Sequence, residues 1–279
     1  MIAAEKAVFP VRVLCRTLGV SPSGFYAAHQ RPPSARAALD TVVRQRLRVE
    51  FAAAQQRYGS PRLQRRLRAA GHTIGRNRVM RLMRLEGLRA RPRRRFRRTT
   101  DSAHAYPVAP NRLAGRFTTT HPNAAWVADL TYLNTAEGWL YLAVILDLYA
   151  RRVVGWATAP TLATTLPLAA LRMAIARRRP SAGLVHHSDR GVQYASEAYR
   201  AVLAAHGLTC SMSRRGNCYD NAVIESFFSS MKQELPVERW GTRAAAHRDV
   251  ADYIERFDNP ERLHSALGYQ SPVAFERRS

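Results

Sequence analysis

Three acids lie where a sheet and a helix could bring them together. Asp189 closes the short apolar run Leu184-Val185-His186-His187-Ser188, which reads as a buried strand with a turn at Gly191. Glu225 opens an amphipathic helix with Val223, Ile224, Phe227, Phe228, Met231 and Leu235 at helical spacing. Thirty-five residues separate these two acids. Asp129 lies upstream in the strand-like run WVADLTYL. Three carboxylates on two strands and a helix can converge on a pair of divalent cations. Such a pair activates water or a hydroxyl for in-line attack on a phosphodiester. Asp129 is mid-strand among apolar residues, so its carboxylate calls for a metal or a cation beside it.

Other residues near these acids have blander readings. Asp147 is the strongest competing acid, and Arg151 and Arg152 beside it predict a structural ion pair. Asp220 and Asn221 are expected to cap the helix of Glu225. His186 and His187 are adjacent on a strand and point to opposite faces, so they do not chelate one metal together. One is expected in the core and the other along a DNA groove. Arg190, Gln193, Tyr194, Asn217 and Lys232 are candidate DNA contacts.

The elements that must position the acids begin at Phe117. Strands are predicted over 125–133, 139–147 and 152–157, a helix over 162–178 and a strand over 184–188. A helix over 196–206, a strand over 208–212 and the helix over 221–235 follow. The order βββαβαβα fits an α/β fold, a mixed sheet with helices on both faces. A further amphipathic helix over 242–257 and an anchoring tail complete the chain, as residues 241–279.

The first part of the chain has a different character. Residues 1–116 hold 26 Lys and Arg against 5 Asp and Glu, and residues 117–279 hold 18 against 15. The excess charge therefore belongs to a separate unit whose partner is a polyanion. Residues 11–29 read as helix, turn, helix, with Gly19 ending the first and Ser21-Pro22 starting the second; they form a partial helix-turn-helix over 1–36. The stronger candidate lies in 37–100. Helices over 41–55, 60–70 and 76–86 are expected, with Val79, Leu82 and Met83 facing inward on the last. Arg76, Arg78, Arg81 and Arg84 decorate that helix, which suits it to a major groove. Arg89–Arg98, including Arg91, Arg93, Arg94 and Arg95, is almost all arginine and is expected to bind phosphates in extended form. Residues 101–116 read as a linker into the core at 117–240.

Cys15, Cys210 and Cys218 make no CxxC pair and no disulfide framework. Neither they nor the histidines show zinc-ligand spacing. The longest apolar run, 138–146, is too short to span a bilayer, and residues 1–20 lack a signal-peptide pattern. A reduced cytoplasmic protein with no membrane partner is expected.

Several stretches together resemble the second reading-frame product of the insertion-sequence-3 family of bacterial transposases. They are YGSPR at 58–62, RVMRLMRLEGLRA at 78–90, WVADLTYL at 126–133, HHSDRGVQYAS at 186–196, SMSRRGNCYDNAVIESFFSSMKQEL at 211–235 and NPERLHSALGYQSP at 259–272. The resemblance implies a core similar to retroviral integrase and ribonuclease H. It implies that the family's catalytic aspartates and glutamate fall on Asp129, Asp189 and Glu225, and its following basic residue on Lys232. Two Mg²⁺ ions are then expected at the three acids, with Mn²⁺ able to substitute. Double-stranded DNA is the expected partner, as element ends and target, bound by a homo-oligomer. The upstream reading-frame product, or a frameshift fusion to it, is a further expected partner. Asp258 departs from the family, which more often has Tyr there. Two other readings of the residues stay open: a nuclease that cuts without joining, and a regulator that binds without catalysis.

Overall fold

The computed structural model describes residues 2–91, 109–115, 117–214, 221–235 and 239–278. Arg93, Arg94 and Arg95, most of the expected linker, and Asn217, Cys218 and Asp220 lie outside the described residues. The chain forms two compact units, Met1–Arg89 and Ala90–Ser279.

The first unit is all helix: α1 Ile2–Glu5, α2 Val11–Thr17, α3 Pro22–Gln30, α4 Ala35–Ala53, α5 Ser60–Ala69 and α6 Arg76–Leu85. Ser21 caps α3 as expected, its hydroxyl accepting from the Gly24 amide at 3.0 Å. Gly19 and Gly71 adopt φ of +65° and +87° where α2 and α5 stop. α4 begins well before the first residue of its apolar stripe. Ser34 caps it by accepting from the Ala37 amide, and the alanine-rich first turns extend a helix without burying a face. Val43, Leu47, Phe51, Leu63, Leu67, Val79, Leu82 and Met83 bury one stripe from each of α4, α5 and α6.

The second unit is built on a five-stranded sheet: β1 Ala125–Thr135, β2 Gly138–Asp147, β3 Arg152–Ala159, β4 Val185–Ser188 and β5 Thr209–Met212. The strand order is β3-β2-β1-β4-β5. The β1–β2 and β2–β3 pairs are antiparallel, and β1–β4 and β4–β5 are parallel. The helices are α7 Thr165–Arg178, α8 Val192–Ala195, α9 Glu197–Ala205, α10 Ala222–Glu234, α11 Arg243–Asp252 and α12 Pro272–Glu276.

On one sheet face, Trp126, Ala128, Ala143 and Ile145 bury against Leu168, Leu171 and Ala174 of α7 and Tyr199 and Leu203 of α9. Gly155 makes the close seat for α7. A Cβ there would lie 2.2 Å from the Ala170 carbonyl oxygen and 2.8 Å from the Ala174 Cβ. α10 and α11 pack on β1 and β2, and their buried Ile224, Phe228, Met231 and Val250 cover the other face.

Three elements differ from expectation. α7 starts at Thr165 rather than Leu162, which stays half-exposed in the preceding loop. The turn at Gly191 opens directly into the extra helical turn α8. The helix predicted over 242–257 changes winding after Asp252 and continues as a π-helical turn, Tyr253–Asp258. That turn buries Tyr253, Ile254, Phe257 and Asp258 together.

Candidate active site

The register of two parallel strands brings the first two acids together. Val127 pairs with His187 and Ala128 with Ser188. One residue further along both chains lie Asp129 and Asp189, side by side although 59 residues separate them. β1 continues past this point and β4 does not, so the two acids sit where a strand edge opens. Asp189 then turns the chain: its Oδ1 accepts from the Gly191 amide at 2.9 Å. Asp129 Oδ1 accepts from the Leu130 amide at 2.8 Å.

The pleat points Asp129 to the face covered by α10, because Trp126 and Ala128 occupy the other. Glu225 lies in the first turn of α10 and Lys232 two turns on. The acids act on one another. Burial pushes the Asp129 carboxyl well above the usual carboxylate range, and the negative charges of Asp189 and Glu225 push it further. The Leu130 amide and the Lys232 ammonium oppose that rise. Burial lowers the Lys232 ammonium to about 8, against the pull of Asp129. Its Nζ stands 4.8 Å from the centre of the Tyr132 ring. Among the described residues, no three acidic, His or Cys side chains are closed around one point at metal-ligand spacing. The three acids share a field rather than a finished cage.

Several residues expected at the DNA also make bonds within the fold. His186 and His187 are both buried, so neither lines a groove. His186 Nε2 meets the Tyr199 hydroxyl at 3.1 Å, and burial lowers its imidazole to about 3, so it is neutral. His187 spans the Ser211 and Ser213 hydroxyls at 2.8 and 3.1 Å, tying β4 to the end of β5. Tyr194 is buried and faces inward, so it does not touch a ligand at the surface. Arg190 donates from Nε to the Ser213 carbonyl at 2.7 Å, which fixes the loop after Asp189. Gln193 Nε2 donates to the Leu162 carbonyl at 3.3 Å. Asn221 precedes α10 but makes no side-chain cap.

Six other acids of this unit, Asp147, Glu234, Asp252, Glu255, Asp258 and Glu276, lie within ion-pair distance of arginines. Asp147 accepts from the Asn123 and Tyr149 amides at 2.8 and 2.9 Å. The arginine within ion-pair distance is Arg178 at 3.7 Å, while Arg151 feels the Asp147 charge from further off. Arg152 pairs with Glu276 at 2.7 Å, and Arg151 donates to the Phe117 carbonyl. One buried cluster was not visible in the sequence. Glu234, at the end of α10, accepts two bonds from Arg262 at 2.8 and 2.9 Å and a third from the Tyr253 hydroxyl at 3.0 Å. Asp258 lies 3.7 Å from Arg262 and 3.5 Å from His264. The tail therefore grips the helix that carries Glu225 and Lys232. The only hint in the sequence is the run of polar residues among apolar anchors at 258–264.

The arginines proposed for DNA divide likewise. In the first unit Arg78 pairs with Asp40 at 2.7 Å and Arg81 pairs with it too; both fasten α6 to α4. Glu86 holds Arg44 and Arg48 in the same way. Arg76 and Arg84 stay exposed on α6. Arg91 belongs to the second unit, where its guanidinium donates to the Glu234 carbonyl at 3.1 Å and its own carbonyl accepts from Gln233 of α10 at 2.6 Å.

Comparison with known proteins agrees with this architecture. Residues 39–96 match an HTH-like domain, residues 119–218 an integrase core domain, and residues 206–272 a second integrase core domain model. The chain is 45% identical over 266 residues to the insertion element IS600 uncharacterized 31 kDa protein of Shigella sonnei, covering 95% of this chain and 98% of that one. It is 41% identical over 285 residues to transposase InsF for insertion sequence IS3A of Escherichia coli (strain K12), covering 100% and 98%. Among solved structures, the HTLV-2 integrase catalytic core domain in complex with magnesium is similar at 13% identity and TM-score 0.44, over 56% of this chain and 97% of that one. Among the described residues no helix is long and apolar enough to cross a membrane. Full-length identity of this order, with the helix-turn-helix-like and integrase core models matched in sequence order, shows that the chain belongs to the insertion-sequence-3 family of transposases, as an integrase-core polynucleotidyl transferase of DNA transposition.

Proposed function

We propose that Asp129, Asp189 and Glu225 form one catalytic centre that both cuts at the element end and joins that end to target DNA. The observation that supports this is the strand register that sets Asp129 beside Asp189 under α10, where burial first and then the charges of Asp189 and Glu225 raise the Asp129 carboxyl. Like charges gathered in a partly buried site are costly, and the donor set suits hard divalent cations. Asp129, Asp189 and Glu225 would hold two Mg²⁺, with Mn²⁺ able to substitute. Bound there, the metal supplies an activated oxygen nucleophile and offsets charge on the leaving oxygen. In the first step a water oxygen attacks the phosphorus, the bridging 3′ oxygen leaves, and a 3′ hydroxyl results. In the second step that hydroxyl attacks a target phosphodiester and a new bond replaces the old one. No covalent bond to the protein is needed. Lys232 places a cation between Asp129 and the DNA backbone.

The basic unit, residues 37–100, binds the element ends. Arg76 and Arg84 meet DNA from the exposed face of α6, and Arg93, Arg94 and Arg95 neutralise phosphates. Arg78, Arg81 and Arg91 contribute further positive charge to the DNA while also bonding within their own units. The protein works as an oligomer on DNA in the cytoplasm, with the upstream reading-frame product or as a fusion to it.

Asp189→Asn and Glu225→Gln each keep side-chain size and remove one charge. Both nicking and joining should fall to background together, while gel-shift binding of end DNA persists. Joining by Asp189→Asn at near wild-type rate would sink the assignment.

A further inference from the structure

A cavity of about 400 Å³, lined by Leu130, Thr131, Tyr132, Trp139, Tyr141 and Leu162, begins one residue along β1 from Asp129, on the sheet face opposite its carboxylate. That volume falls in the range of about 300–1,000 Å³ common to small-ligand sites. The topology explains why it is there. β4 pairs with β1 only as far as Ala128, so beyond Asp129 the outer edge of β1 is met, among the described residues, by no named strand and by a single bridge from Trp240 at Thr135. Tyr132 pairs with Tyr141 and Asn134 with Trp139 across β1 and β2. Leu130, Tyr132, Tyr141 and Trp139 therefore share one sheet face. α7 begins only at Thr165 and leaves this end of the face uncovered. Leu162 closes one side, held by Gln193, four residues after Asp189.

The chemistry of the lining is unusual for core. Trp139 is 49% exposed, and its ring meets Tyr132 edge to face at 4.9 Å. An aromatic that finishes a core does not stay half in solvent next to a hollow. The Lys232 ammonium stands 4.8 Å from the Tyr132 ring centre and also feels Asp129. Flat rings, a hollow and a cation thus meet at the edge of the acid cluster. A planar aromatic group attached to a phosphate fits all three features. An apolar peptide would fit the rings but gain nothing from the ammonium.

We propose that this cavity receives one nucleobase of the element-end DNA, turned out of the duplex beside the phosphodiester to be cut. The base stacks on Trp139 and Tyr132 while Lys232 meets its phosphate. Stacking on protein rings offsets the stacking lost in the duplex, and the opened backbone can then reach the acids. The inference rests on the catalytic centre proposed above.

The test is a binding cycle with the full chain. Its probes are element-end duplexes, either intact or carrying a single abasic nucleotide moved stepwise past the cut. Trp139→Ala should weaken binding of intact ends roughly tenfold, in line with loss of one stacked base. On the duplex abasic at the captured position, wild type and variant should bind alike. Trp139→Phe should restore most of the affinity for intact ends. Equal loss on every duplex, or no loss on intact ends, would overturn the proposal. So would a change of oligomeric mass in Trp139→Ala with DNA binding unchanged, since the cavity would then hold a second copy. Thermal melting of both variants checks the fold. The cycle reads binding alone, so a failure of the catalytic assignment, read from joining by Asp189→Asn, shows separately.

Discussion

The two units treat their acids in opposite ways. In Met1–Arg89 the few acids are struts: Asp40 joins Arg78 and Arg81, and Glu86 joins Arg44 and Arg48. The Arg81 hydrogen bond and then Arg78 hold the Asp40 carboxyl below the usual range. In Ala90–Ser279 most buried acids likewise have arginines, but Asp129 has mainly other acids for company. A carboxylate lowered by arginines stabilises the fold, whereas one raised by burial and then by like charges destabilises it until a cation arrives. Burial raises Asp147 as well, but there two amides and Arg178 oppose the rise, whereas at Asp129 the charges of Asp189 and Glu225 add to it.

The largest stability effect should come from the tail cluster. Arg262→Ala leaves Glu234 buried without its bidentate partner, and breaking a buried pair typically costs about 3–5 kcal/mol. Chemical denaturation should show that loss, and if Arg262→Ala melts like wild type the grip of the tail on α10 is not structural.

Asp147→Asn is milder. It keeps shape but weakens the bonds to two amides and the pairing with Arg178, a loss of about 1–3 kcal/mol for buried hydrogen-bonded groups. Joining activity should survive at temperatures where the variant is folded. Abolition of joining with an intact fold would move Asp147 into the reactive class.

Asp129→Asn should change stability in the other direction, and pH reveals it. In the unfolded chain this carboxyl ionises near its ordinary value of 3.8, and in the fold well above it. The folded state therefore disfavours the charge once pH rises past 3.8, and the handicap is complete above the folded value. Without metal, Asp129→Asn should melt above wild type at neutral pH, and the gap should close in acid. Added Mg²⁺ should raise the melting point of wild type more than that of the variant. A variant that melts below wild type at neutral pH would contradict the raised pKa.

The smallest effect is expected in the basic unit. Asp40→Asn releases Arg78 and Arg81, so melting should change little while the log–log salt dependence of DNA binding steepens by about 1–2. An unchanged slope would mean those arginines already reach phosphates.

Much of this was legible in the chain. Strand and helix periods located nearly every element of the sheet unit, because one buried face imposes its period on the residues. Caps and turns such as Ser21-Pro22 and Gly71 fixed helix ends for local reasons of hydrogen bonding and φ. What failed was orientation and partnership. Tyr194 and His187 look like surface polar residues beside Asp189, yet both are buried. Asp147 chose Arg178, 31 positions away, over Arg151 and Arg152. The start of α7 and the π-helical turn were missed because both depend on what the helix packs against.

The sequence by itself determined the two-unit charge asymmetry, the element order and the acids that could do chemistry. These are carried by residue type and local period, which need no knowledge of distant neighbours. Only the tertiary structure decided that Asp129 stands beside Asp189, through the pairing of Ala128 with Ser188. It alone decided which arginines are struts, that the tail holds α10 through Glu234, and that β1 outruns β4 to leave an aromatic hollow. Each is set by strand register and packing between residues far apart in the chain, and a charged side chain takes the partner that register delivers.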